Sequence, residues 1–122
     1  MTTIVIVPFR PDYGHRDRLW EWVRGNYWKH LPWPIELGHH DKGAFNRAAA
    51  VNSAADRQWD YAIIADSDTW VPAKQLMAAL SATQATGRLV AAFDAVVELS
   101  QPCTDNILRG QTTISGSFEA GK

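Results

Sequence analysis

The chain of 122 residues contains a single cysteine, Cys103, so it cannot close a disulfide within itself, and one thiol fits a reducing compartment. It also lacks any long apolar run. The N-terminal stretch Ile4–Val7 is much shorter than a signal-peptide core or a membrane span, so a soluble, cytoplasmic protein without a membrane-spanning segment is expected. Neither sign of charge is in excess. Twelve Lys and Arg stand against 13 Asp and Glu, a net charge of -1, which leaves no basic face for nucleic acid. Two common nucleotide signatures are missing as well. No Gly-x-Gly-x-x-Gly follows the first apolar run and no Gly-Lys-Ser/Thr occurs, so the dinucleotide-binding and P-loop readings fail at their own glycines. The residues around Ser115 do not spell the Gly-x-Ser-x-Gly elbow of a hydrolase. What remains is room for one domain, residues 1–122, with 46% hydrophobic residues to build a core.

Tryptophan is abundant, at Trp20, Trp22, Trp28, Trp33, Trp59 and Trp70. These rings are read as core and interface packing, with sugar or base stacking as the sharper alternative. Thr3–Phe9 is β-branched and bounded by prolines, the pattern of a central strand buried on both faces. Asp12, Gly14 and His15 open a stretch in which Leu19, Trp20, Val23, Tyr27 and Leu31 recur at helical spacing, until Pro32 and Pro34 close it. Pro34–Leu37 suits a short second strand, and Gly38–Gly43 a polar loop. The alanine-rich Ala44–Arg57 predicts a helix that starts at or just before Phe45 and Asn46. Tyr61–Ala65 has strand length and stops at Asp66-Ser67-Asp68. Pro72 suits a first helical residue and Gly87 a stop. Leu89–Phe93 predicts a fourth strand, Val96–Leu99 and Thr112–Phe118 are further strand candidates, and Pro102–Arg109 is a loop or short helix. This alternation implies an α/β fold, a mainly parallel sheet with helices on both faces joined by right-handed crossovers.

In such sheets the ligand crevice lies beyond the carboxyl ends of the strands, which gathers three polar clusters. Arg10 and Asp12 follow the first strand. The His39–Asp41 loop, Asn46 and Arg47 follow the second. Asp66 and Asp68 follow the third. Two carboxylates spaced i, i+2 at a strand end can aim at one hard cation, Mg²⁺ or Mn²⁺, completed by substrate phosphates. Arg10 and Arg47 offer guanidinium forks for phosphate or ribose oxygens, with ordinary surface ion pairs as the plainer reading. His39 and His40 are adjacent, and no second pair at ligand spacing follows them. They read as solvated loop residues rather than a zinc site.

Taken in order, Pro8-Phe9-Arg10, then Phe45-Asn46-Arg47-Ala48 with Asn52, then Asp66-Ser67-Asp68 with Pro72 resemble three successive signatures of the β-1,4-galactosyltransferase family and its GT-A neighbours. The likeness covers roughly the first ninety residues. It implies a Rossmann-like GT-A nucleotide-sugar-binding fold and a metal-dependent transfer from a nucleotide-sugar, a UDP-sugar by preference, to the hydroxyl of an unknown acceptor. Pro8, Phe9 and Arg10 would line the uridine end, Phe45 would lie against the uracil, and Arg47 would reach the phosphates. Asp66 would help hold the ribose or the hydrated metal, and Asp68 would be the direct Mn²⁺ ligand. The family's later Trp-Gly-x-Gly segment, with its paired acids, is not written here, and all four histidines precede Asp66. The expectation is therefore the donor-binding half of a larger enzyme, with no residue assigned as general base.

Two alternatives accompany this reading. The apolar strand followed by Asp66-Ser67-Asp68-Thr69 also fits the nucleophile motif of haloacid dehalogenase-type phosphatases, in which the first Asp attacks and the second is a general acid. A non-catalytic nucleotide-sugar-binding or assembly module is the other. A half-domain would leave apolar surface uncovered and favour a homodimer, with Trp20, Trp22 and Trp28 as candidates for that face.

Overall fold

The computed structural model describes residues 2–110 of the protein as an α/β fold with three parallel strands and four α-helices. The chain forms two compact units, the first running to Trp70 and the second starting at Val71. In the first unit, β1 (Thr3–Pro8) lies between β2 (Ile35–Gly38) and β3 (Tyr61–Ile64), all parallel, in the order β2-β1-β3. The central position explains the composition of β1. Ile4, Val5, Ile6 and Val7 are each at most 1% exposed, so both faces of this strand are covered.

The period-2 alternation of β1 assigns each face a helix. Ile4 and Ile6 pack with Ala54 of α2 (Arg47–Ala55), joined by Val51, Ala55 and Ala62. Phe9, which continues the Val5 and Val7 side, meets Trp20 of α1 (His15–Asn26) with ring centroids 6.2 Å apart. The first crossover leaves β1 toward β2, and the second returns across β1 to β3. Two crossovers of one hand running in opposite directions place their helices on opposite faces. Helix α2 passes so close to β2 that a Cβ on Gly38 would lie 2.1 Å from the Ala50 carbonyl oxygen. Only a hydrogen is accommodated there.

Element boundaries depart from the sequence expectation where a side chain takes over from the helix. Helix α2 begins at Arg47, two residues beyond Phe45, because the Asn46 side chain accepts the Ala49 N–H at 3.0 Å and so caps the helix from outside. The run expected to reach Leu31 ends at Asn26 and gives way to a 3-10 turn, Trp28–His30. Trp20 and Trp28, each 4% exposed, are interior residues and supply no dimer face; Trp22 rests on Trp70 at 5.3 Å.

The second unit, taken by itself, holds α3 (Ala73–Thr86) and α4 (Gln101–Leu108). Pro72 precedes α3 as its cap, and Gly87 ends the helix at φ 68°, donating its N–H to Thr83 O at 2.8 Å. The Ser100 hydroxyl accepts the Cys103 N–H at 3.3 Å to start α4, which resolves the Pro102–Arg109 segment as helical. The predicted fourth strand is not formed: Leu89–Phe93 is irregular, with Leu89 99% exposed, and Gln75 Nε2 donates to Ala92 O. An apolar run of five becomes a strand only beside another strand, and the sheet formed by the described residues has three. Val96–Leu99 is likewise irregular, and Thr112–Phe118 lies outside the described residues. No helix among the described residues is long and apolar enough to cross a membrane.

Candidate functional site

Register brings the ends of the three strands together. Pro8 is the partner of Gly38, so Arg10 continues the row toward His40; Ile6 is the partner of Ile64, so Asp66 continues the row toward Pro8. The ladder is tied off by Phe9 N–H to Gly38 O at 2.9 Å and Ala65 N–H to Ile6 O at 3.0 Å. Beyond these bonds, at the carboxyl ends of β1 and β3, the strand order reverses direction, which is where open parallel sheets leave a crevice. Here the crevice is lined by Pro8, Phe9, Arg10, Arg16, Phe45, Arg47, Asp66, Ser67 and Asp68. Every residue singled out from the sequence as nucleotide- or metal-binding is in that lining. Its volume is about 210 Å³, short of the roughly 300 Å³ at which pockets for whole small ligands begin, so it accommodates part of a ligand.

Arg10 is turned toward the protein rather than the crevice. Its Nε donates to His40 O at 2.8 Å, its Nη1 to Gly43 O at 2.7 Å and its Nη2 to His40 O again. The same guanidinium lies 5.4 Å from the centre of the Phe45 ring, and the His40 ring meets Phe45 edge-on. His40 Nδ1 accepts the Asn46 N–H at 3.1 Å, which fixes that nitrogen as unprotonated in this arrangement. Arg10 therefore fastens the loop after β2, and that loop presents Phe45 and Arg47. His40 has a structural part in this fastening that its adjacency to His39 did not suggest.

Arg47, at the first turn of α2, pairs its Nε with Asp66 Oδ1 at 3.0 Å. Both side chains are about half exposed. Asp66 opens a turn in which the Thr69 N–H and hydroxyl both donate to Asp66 O, at 3.4 and 3.3 Å, and the turn carries Ser67 and Asp68 into the lining. Ser67 is buried, whereas Asp66 and Asp68 are open to solvent. Among the described residues no group of three or more His, Cys, Asp or Glu side chains is close enough to hold a metal ion. Asp66 and Asp68 both line the crevice, with Asp66 Oδ1 already paired to Arg47.

Arg16 and Ser67 line the crevice without being singled out from the sequence as binding residues. Arg16 lies one residue into α1 and reaches back so that its Nη1 donates to Arg10 O at 3.0 Å, over the end of β1. A period-based reading of α1 registers apolar positions, and an arginine on the first turn gives no such signal. Asp12, in contrast, is spent on the helix. Its carboxylate accepts the N–H groups of Gly14 at 2.9 Å, Arg16 at 3.1 Å and Asp17 at 3.4 Å, while Asp17 Oδ1 accepts the Asp12 N–H. The bonds from Gly14 and Arg16 hold the Asp12 carboxyl below the usual carboxylate range. No tryptophan lines the crevice; its aromatic residues are Phe9 and Phe45.

Comparison of the chain with protein-family models, with curated proteins and with solved structures returns no match.

Proposed function

We propose that this crevice binds the diphosphate end of a nucleotide-sugar together with Mn²⁺ or Mg²⁺, and that the chain is the donor-binding part of a GT-A-type glycosyltransferase. One observation carries the reading. Pro8, Phe9 and Arg10, Phe45 and Arg47, and Asp66 and Asp68 come from three stretches far apart in the sequence, yet they line a single crevice at the strand ends. The resemblance to the β-1,4-galactosyltransferase signatures rests on those same residues.

The donor set suits such a ligand. Mg²⁺ and Mn²⁺ keep few protein ligands when phosphates complete the shell, so two aspartates suffice for a cation that arrives with a diphosphate. They would hold a lone cation weakly. The bound cation supplies Lewis-acid neutralisation of charge on a departing nucleoside diphosphate. Asp68 and Asp66 would hold the cation, and Arg47 would exchange its bond to Asp66 for phosphate oxygens in a charge-assisted pair. Phe45, already packed under the Arg10 guanidinium, offers its open ring face to the base.

The phosphatase alternative needs a further acid pair beside Asp66 and Asp68, and the described residues bring none there. A binding module without catalysis would use the same crevice and the same ligand. A thermal-shift panel of UDP-, GDP- and TDP-sugars, with and without Mn²⁺, tests the reading. A ligand that binds only the folded chain stabilises it by about 2.7 kcal/mol at a hundredfold excess over its Kd. Stabilisation by UDP-sugars that requires Mn²⁺ is the expected result; none of the nucleotides stabilising the chain with either ion would refute it.

A further inference from the structure

We infer that Arg16 is a diphosphate-binding residue of this site and that Arg10, despite its place in the Pro8-Phe9-Arg10 signature, is a positioning residue that does not grip the ligand. The inference rests on the nucleotide-sugar reading above and assigns the donors within it.

Arg10, Arg16 and Arg47 line the crevice together with Asp66 and Asp68, and the Asp12 carboxylate acts on Arg16 from the start of α1. The guanidiniums are not equivalent. Every nitrogen of Arg10 is engaged with the loop after β2, through the His40 and Gly43 carbonyls. Turning Arg10 to a phosphate would release that loop and with it Phe45, whose ring it covers. Arg16 makes one hydrogen bond among the described residues, from Nη1 to the Arg10 carbonyl, and its charge also acts on the Asp12 carboxylate, so fewer bonds hold its guanidinium than hold that of Arg10. Arg47 is in a similar state, anchored through Nε to Asp66 with its terminal nitrogens unengaged among the described residues. Arg16 and Arg47 thus come from opposite sides of the switch point, one from α1 and one from α2, and both line the crevice.

The N-terminus of α1 offers no substitute. In many nucleotide folds the free N–H groups of the first helix receive the phosphates. Here the Asp12 carboxylate already accepts those of Gly14, Arg16 and Asp17, so it both satisfies them and places a negative charge where a phosphate would otherwise sit. The missing glycine-rich loop and the added arginine side chain are two halves of one arrangement: side-chain forks do the work that backbone N–H groups do elsewhere.

Equilibrium titration of UDP with Mn²⁺, and separately of inorganic pyrophosphate, into the wild-type chain, Arg16→Gln and Arg10→Gln tests this, with amide hydrogen exchange at Asn46 and thermal midpoints recorded for each. Arg16→Gln is expected to weaken both ligands at least tenfold while leaving the exchange rate of the Asn46 N–H and the thermal midpoint of the free protein unchanged. Arg10→Gln is expected to speed exchange at Asn46, whose N–H is held by His40, in the absence of any ligand. UDP binding to Arg16→Gln within twofold of wild type would overturn the role of Arg16, and unchanged Asn46 exchange in Arg10→Gln would overturn that of Arg10. Binding of pyrophosphate but not UDP by the wild type, lost in Arg16→Gln, would remove the nucleotide reading and keep the anion site. Binding of neither ligand by the wild type would remove both.

Discussion

The two compact units bury their apolar residues to different extents. Up to Trp70, apolar side chains from β1 and from the helices on its two faces close over one another, and the strand ends left at the rim carry arginines and aspartates. From Val71 onward, Leu76 and Ile107 are the buried hydrophobic residues among those described, whereas Leu89, Phe93, Val96 and Val97 are exposed. The helices of the second unit are delimited locally, by Gly87 at the end of α3 and by Ser100 at the start of α4. The site belongs to the first unit because a sheet fixes residues that are distant in sequence to within a residue step, and local capping cannot do that. Register sets where the chain leaves β1 and β3 toward Arg10 and Asp66, and the loop after β2 with the start of α2 presents Arg47.

The sharpest way to break this contrast is at β1. Ile6→Ala removes fully buried side-chain volume from the face shared with Ala54 and should cost about 3 kcal/mol in urea unfolding. A loss below about 1 kcal/mol would mean that β1 does not organise the first unit. Asn46→Ala removes the cap of α2 and should cost about 1 kcal/mol. Because Arg47 follows directly, the same variant should also weaken UDP binding, which calorimetry would register.

A smaller effect is set by pH at Asp12. Its folded-state carboxyl is held below the ordinary value of 3.8, so the stability it gives is present above that value and fades as pH falls through the lower, folded value. The stability gap between wild type and Asp12→Ala should therefore be full near neutrality and close in acid; a gap that widens below pH 4 would contradict the sign. The smallest effect belongs to the second unit. Leu89→Ser, at a side chain 99% exposed, should shift stability by no more than about 0.5 kcal/mol. A larger loss would show that Leu89 is covered in solution and would narrow the contrast between the units.

Much of the first unit is legible in the sequence, for a physical reason. A β-branched run buried on both faces, such as Ile4–Val7, has few other conformations in which its side chains leave water, and YAIIA ending at an aspartate marks a strand end as well as a strand. The candidate site is legible because residues that follow parallel strands must meet at one edge of the sheet. Leu89–Phe93 shows the limit. It matches the same composition, but strand formation depends on a partner edge, and composition does not encode one. The roles within the site were less legible than its membership. Nothing in the order Pro8-Phe9-Arg10 shows that Arg10 bonds to His40 and Gly43, or that Arg16, six residues on, faces the crevice; both follow from loop geometry that appears only after folding. The tryptophans illustrate the same point. The core-packing reading holds for Trp20 and Trp28, which are interior, whereas the half-domain idea offers the same rings as a dimer face.

The central claim is that Asp66 and Asp68 hold a divalent cation that in turn anchors a nucleoside diphosphate, and calorimetric titration of UDP into the wild-type chain and into Asp68→Ala, each with and without Mn²⁺, tests it most directly. Linkage requires Mn²⁺ and UDP to raise each other's affinity by the same factor. The account predicts that this mutual enhancement is present in the wild type and abolished in Asp68→Ala, with the thermal midpoint of the free protein unchanged. UDP affinity that is identical in the two proteins and indifferent to Mn²⁺ would contradict it.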